Sequence, residues 1–282
     1  MLPFWASIAA LSLVQGALVT FPGRLVSERL AALRGRRWAL APPLSVIGFV
    51  LVTSAAESAS ANGLSYLALL AVPVLALAAL GWLTAISSPR LALLVLPLFA
   101  LAWGDPRGLV GEGSALLLSA LSCVTLGVLL AAVTPPRWLG AGIVAMAVAD
   151  TALVISDLLQ RPNNALNAAH PAAGLPRLQS EVFGSAVMGY GDVFIAGALG
   201  ALLAVSYGRS TQLRAGALVA ALALAFDLLF FLVKELPATV PVGIALVVVV
   251  VSRRRLCDRR QAPGAPPVQP RKPPRRSSAA AP

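Results

Sequence analysis

The chain reads as an all-α polytopic membrane protein of about nine transmembrane helices, and three observations predict it. Hydrophobic residues make up 58% of its 282 residues and charged ones 12%, with mean hydropathy +0.84. That is far more apolar surface than a soluble core can bury. Apolar stretches approaching the length needed to cross a hydrocarbon layer roughly 30 Å thick recur along the sequence. Basic residues gather between them in alternation, as orientation signals do.

The nine stretches are 3–22, 38–56, 63–86, 90–104, 114–134, 138–159, 182–206, 215–233 and 237–252. Turn or charge signals bound them: FPGR at 21–24, ESASANG at 57–63, SSPR at 87–90, GDPRG at 104–108, TPPRW at 134–138 and YGRS at 207–210. The first stretch has no Lys or Arg ahead of it, unlike a cleaved secretory signal, and is expected to stay as an anchor. With the N-terminus outside, the inner segments hold Arg24, Arg29, Arg34, Arg36, Arg37, Arg90, Arg137, Arg209 and Arg214, and the tail nine more basic residues, 18 in all. The outer segments hold four: Arg107, Arg161, Arg177 and Lys234. This split favours an N-out, C-in orientation and an odd number of spans.

The connection 160–181, rich in Pro, Asn and Ala, is expected to be irregular and partly mobile. The tail 253–282 lacks the apolar residues to fold and is expected to be a disordered basic cytoplasmic extension. The chain thus divides into a five-helix region, 1–137, a four-helix region, 138–252, and the tail.

The net charge of +11 lies at the edges of apolar runs and in the tail. That placement points to anionic lipid as the partner and away from nucleic acid. Cys123 and Cys257 stand in unlike surroundings and are expected to be free thiols; His170 has no acidic or Cys partner at ligand spacing, so no metal or organic cofactor is implied. Only Lys234 and Lys272 are lysine among 22 basic residues, and Ala and Leu are heavily used, a codon bias of GC-rich bacterial genomes. The expected location is a bacterial cytoplasmic membrane.

Two acids fall deep inside predicted spans. Asp150 lies 12 residues past Trp138, and Asp192 lies 11 past Glu181 from the opposite side. At the helical rise these distances are about 18 Å and about 16 Å, near the midplane. An acid there costs about 2.5–3.5 kcal/mol unless it faces a bundle interior or a wet cavity. Two carboxyls facing each other would share a proton, one serving as general base toward water and the other as general acid toward a carbonyl oxygen. That is aspartic-protease chemistry. Gly189 and Gly191 flank Tyr190 and would let the backbone near Asp192 leave helical geometry, or else provide close helix packing.

Asp227, 13 residues past Arg214 and so about 20 Å inward, reads as an acid bonded to a neighbouring helix or to a polar group such as Thr239. Asp157, two turns beyond Asp150, is given no role. Pro237 and Pro241 suit the first turn of a helix.

The segment Gly189-Tyr190-Gly191-Asp192, followed by Val193-Phe194-Ile195-Ala196-Gly197, resembles the GxGD motif of the presenilin and signal peptide peptidase family of intramembrane aspartyl proteases. That family carries this motif on the seventh of nine transmembrane helices, its first aspartate on the sixth, and a Pro-Ala-Leu motif at the start of the ninth. The nine-span count puts Asp150 on the sixth and Asp192 on the seventh, and Pro237-Ala238-Thr239 opens the ninth. The resemblance covers roughly 138–252 and implies a catalytic pair, Asp150 and Asp192, with Gly189, Tyr190, Gly191, Pro237, Ala238 and Thr239 shaping the site. It further implies transmembrane-helix substrates such as remnant signal peptides. The orientation is that of the signal peptide peptidase branch. Ala149 stands where the family has tyrosine, and Thr239 where it has leucine.

Two other readings stay open. MGYGD also resembles the prepilin peptidase family, where Phe194 would commonly be lysine and where the acids sit near the cytoplasmic face. A transporter would instead line one continuous path with Asp150, Asp192 and Asp227.

Overall fold

The computed structural model describes residues 2–25, 28–169, 171–172, 174–233 and 235–261. Apolar stretches that must satisfy their own backbone hydrogen bonds form helices. In chain order they are α1 (Phe4–Leu18), α2 (Glu28–Ala32), α3 (Ala41–Ala55), α4 (Glu57–Ala78), α5 (Pro89–Ala92), α6 (Val95–Gly104), α7 (Leu109–Val133), α8 (Pro136–Ile155) and α9 (Gln160–Ala168). A two-stranded antiparallel hairpin follows, β1 (Ser180–Phe183) and β2 (Ala186–Gly189), and then α10 (Tyr190–Ser206), α11 (Arg209–Asp227) and α12 (Val240–Gln261).

Five helical stretches are long and apolar enough to cross a membrane: Arg36–Ala55, Ala59–Leu83, Leu109–Val133, Pro136–Ile155 and Arg209–Phe231. The expected stretches 3–22, 90–104 and 182–206 correspond to shorter apolar helices, Phe4–Leu18, Pro89–Gly104 and Tyr190–Ser206. The ninth stretch opens α12.

The most buried of the five is α7, and it supports α10 by direct backbone contact. A Cβ on Gly127 would sit 2.5 Å from the Gly197 carbonyl carbon, and one on Gly197 would sit 2.6 Å from the Cys123 carbonyl oxygen. Only hydrogen fits between these helices, so Gly197 is a packing glycine. The bundle has chemically distinct ends. At one, Arg24 Nε donates to the Ala204 carbonyl at 2.5 Å, Arg209 to the Thr20 carbonyl and Arg253 to the Thr211 hydroxyl. At the other, Phe4 packs on Phe230 and Trp5 on Phe231, with ring centroids 5.5 and 4.5 Å apart.

Three expectations change. The seventh stretch does not begin as a helix at residue 182: residues 180–189 form the hairpin, because Val182, Phe183 and Val187 favour extended backbone and Gly184 turns it at φ +61°. The helix-rise distance from Glu181 to Asp192 therefore does not apply. The connection 160–181 is not irregular throughout, since α9 occupies its first nine residues; Pro162 falls in the first turn, where its missing N–H leaves nothing unpaired. The tail is helical from Arg253 to Gln261 as a continuation of α12. The remainder, 262–282, lies outside the described residues, as do His170, Lys234 and the side chain of Cys257.

Candidate functional site

Asp150 lies in α8 and Asp192 in the first turn of α10. These helices run in opposite directions: α8 leaves the basic end, where the Gly35 N–H bonds the Val133 carbonyl, and α10 arrives there beside Arg24. Asp150 is 14 residues from Pro136 and Asp192 is 14 residues from Ser206. Both carboxyls therefore stand about 21 Å from the basic end, at one level. They are close enough that the charge on Asp150 acts on Asp192. The two residues singled out from the sequence stand at one level on α8 and α10, although the seventh stretch starts as a hairpin.

Each carboxyl has its own support. Asp150 is 6% exposed, so it needs a donor, and Thr239 Oγ1 donates to its Oδ2 at 2.6 Å while the Thr239 backbone N–H also donates to it. Asp192 is half-buried and folds back so that its Oδ2 accepts from the Gly189 N–H at 3.1 Å, one half of a capping box. Gly189 is extended, at φ −70° and ψ 143°, and ends the strand; helical backbone starts at Tyr190. The non-helical geometry expected near Asp192 is thus confined to the residues before Tyr190. Gly191 lies inside the helix, where an added Cβ would meet Met146 Cε of α8 at an ordinary 3.5 Å. The Tyr190 hydroxyl lies 2.6 Å from Ser122 Oγ on α7 and is engaged there.

Thr239 also corrects an expectation about Asp227. That acid is bonded to a neighbouring helix, as expected, but its partner is Ser12 of α1, whose Oγ donates to Asp227 Oδ2 at 2.7 Å. Thr239 is engaged by Asp150 instead. Of the two prolines, Pro241 falls in the first turn of α12, and Pro237 precedes it, its carbonyl accepting from the Val240 N–H.

Two residues that the motif comparison did not select belong to the site. Gln15 of α1 is 1% exposed, and its Nε2 donates both to the Asp192 backbone carbonyl at 3.1 Å and to the Ala238 carbonyl at 2.9 Å. It ties the start of α10 to the segment that supports Asp150. The sequence signal was an amide within an otherwise apolar first stretch. Glu181 of β1, read from the sequence as an outer boundary, is 0% exposed. Burial pushes its carboxyl well above the usual carboxylate range, and the charge on Asp192 pushes it further.

A cavity of about 380 Å³ opens between the end of α8 and the segment before α12, and neither Asp150 nor Asp192 lines it. Thr151, Ile155 and Pro237 line it, together with the acids Asp157 and Glu235. Among the described residues, no group of three or more His, Cys, Asp and Glu side chains could hold a metal ion. Two carboxyls with one shared proton can activate water and protonate a leaving group, which needs no further chemistry from a bound group.

Neither a family model, nor a curated protein, nor a solved structure matches this chain.

Proposed function

We propose that this protein is an intramembrane aspartyl protease that hydrolyses peptide bonds of transmembrane segments or remnant signal peptides. The observation that carries the reading is the convergence of Asp150 and Asp192 from antiparallel helices at one level, with Thr239 bonded to Asp150. The pairing follows the presenilin and signal peptide peptidase pattern that the GYGD and Pro-Ala-Thr segments resemble.

The reaction needs one proton on the pair. The ionised carboxyl takes a proton from water as the oxygen attacks the peptide carbonyl carbon, and the protonated one gives its proton to the carbonyl oxygen. Collapse of the tetrahedral intermediate breaks the C–N bond, and the amine leaves with a proton returned by the pair. Helical peptide bonds are shielded, so a substrate must unwind beside the GYGD segment. The 380 Å³ cavity, lined by Thr151, next to Asp150 in the sequence, and by Pro237, gives room for part of such a segment.

The reading includes nine spans in an N-out, C-in orientation within a bacterial cytoplasmic membrane, with the clustered arginines of the basic end facing the cytoplasm. A depth of about 21 Å from that end favours it over a prepilin-peptidase-like enzyme acting at the cytoplasmic face. It is favoured over a transporter because Asp227 is bonded to Ser12 in the α1–α11 contact.

The test is cleavage of a reporter transmembrane peptide by purified protein in liposomes. Wild type cleaves, and Asp150→Asn and Asp192→Asn each lose at least about 10³-fold in kcat, because each removes a member of a unit that acts together. Cleavage that survives either substitution refutes the mechanism.

A further inference from the structure

Glu181 is the buried acid that the two-aspartate reaction does not use. It lies on β1, opposite Met188 in the hairpin register, while its neighbour Ser180 pairs with Gly189, the residue whose N–H holds Asp192. It is 0% exposed, and among the described residues no other group hydrogen-bonds either carboxyl oxygen, only its own backbone N–H lying near. Among the described residues, the elements packed on β1 offer no cation. From α7 come Cys123, close enough to feel the Glu181 charge, and Glu112, whose carboxylate is taken by the Gly184 N–H at 2.7 Å. From α10 come Tyr190 and Asp192. The α1 and β2 elements have no titratable side chain among their described residues, and Arg177, four residues before Glu181, donates to the Asn167 carbonyl.

An ionised carboxyl with no donor but its own backbone N–H in such a place is far more costly than a protonated one. We propose that Glu181 is a third carboxyl of the Asp150–Asp192 site, a positioning residue that stays protonated beside Asp192, so that the three acids together carry one negative charge and two protons. The role rests on the protease reading above. Its logic is electrostatic: a second anion next to Asp192 would bind the pair's protons more tightly, leave both aspartates protonated and remove the general base. A neutral Glu181 lets the pair settle at the single shared proton that hydrolysis requires.

Glutamate labelled with ¹³C at the side-chain carboxyl supplies a readout that needs no proteolysis, since the chain has five glutamates. The wild type in liposomes is expected to keep one labelled carboxyl protonated at pH 7, a signal absent from Glu181→Gln. In Asp192→Asn, which leaves Glu181 in place, that carboxyl is expected to titrate lower by about one pH unit or more, because a neighbouring negative charge has gone. In the cleavage assay Glu181→Gln, neutral at every pH like the protonated acid it replaces, is expected to lose no more than roughly tenfold in kcat.

Titration of every glutamate in the ordinary carboxylate range overturns the proposal, as does a Glu181 midpoint that ignores Asp192→Asn. A Glu181→Gln loss as deep as that of Asp150→Asn also overturns it, since Glu181 would then be required as an ion. Should Glu181→Gln not fold, substituting the other four glutamates in turn assigns the signal by elimination. A wild type that cleaves no reporter, with the protonated signal and its Asp192 dependence intact, sinks the protease reading and leaves the Glu181–Asp192 pairing standing.

Discussion

Thr239 offers the sharpest test of how the site is held. Valine has nearly the shape of threonine without the hydroxyl, so Thr239→Val removes the 2.6 Å bond to Asp150 Oδ2 and leaves the backbone N–H contact in place. Asp150 is 6% exposed, so bulk water does not replace the lost donor. A hydrogen bond to a charged group contributes about 1.5–3 kcal/mol, and leaving a buried acceptor short of a donor costs a similar amount. At 1.36 kcal/mol per tenfold in rate, kcat for reporter cleavage should fall about 10- to 150-fold. Because Thr239 meets the carboxyl and does not itself line the cavity, KM should move less than kcat. Thr239→Ser keeps the hydroxyl and should recover most of the rate. The assay is steady-state cleavage in liposomes beside a thermal melt of each variant in detergent. A Thr239→Val protein that is folded and cleaves like wild type would refute the reasoning, and the Thr239–Asp150 bond would then be structural only.

Other consequences are as direct. Gln15→Leu deprives the Asp192 and Ala238 carbonyls of their shared donor, so kcat should drop by roughly tenfold or more while the protein stays folded; hydrogen exchange should rise at 190–196 and 237–243 but not in α7. Unchanged exchange at both segments would mean that Gln15 does not tie them. Gly127→Ala drives a methyl into the Gly197 backbone, a contact of 2.5 Å, and overpacking of this kind costs about 1–3 kcal/mol. The melting temperature should fall by several degrees, and a melt equal to wild type would contradict the glycine contact. Glu181 gives the pH dependence its sign. Its folded value lies above its ordinary 4.5, so the folded state holds a proton that the unfolded state releases, and stability should fall as pH rises above about 4.5 toward the folded midpoint. Glu181→Gln should flatten that slope, visible as melts that converge at low pH and separate at high pH.

Much of this was legible in one dimension. Hydropathy marked out the apolar helices, because a chain that excludes water must satisfy its backbone within each segment. The buried acids stood out because a carboxylate among apolar neighbours is too costly to be incidental. The glycines around Tyr190 pointed to non-helical backbone near Asp192, which the structure has only up to Gly189, and the Pro237-Ala238-Thr239 segment marked the start of α12. What failed was local too: an apolar run read as one helix through residues 182–206, although its first part is a hairpin. Periodicity over so few residues does not separate a strand from a helix. Which partner each supporting residue meets lay beyond any such signal. Thr239 reaches Asp150 across 89 residues of sequence, and Gln15 reaches Asp192 across 177 and Ala238 across 223. Glu181, taken from the sequence as a marker of the outer surface, is fully buried beside Asp192 because β1 folds against α7. The sequence by itself determined which segments avoid water and which residues carry charge into them. Only the tertiary structure decided which donor each acid meets, because hydrogen bonding and charge depend on distance in space, and helix packing sets that distance between residues far apart along the chain.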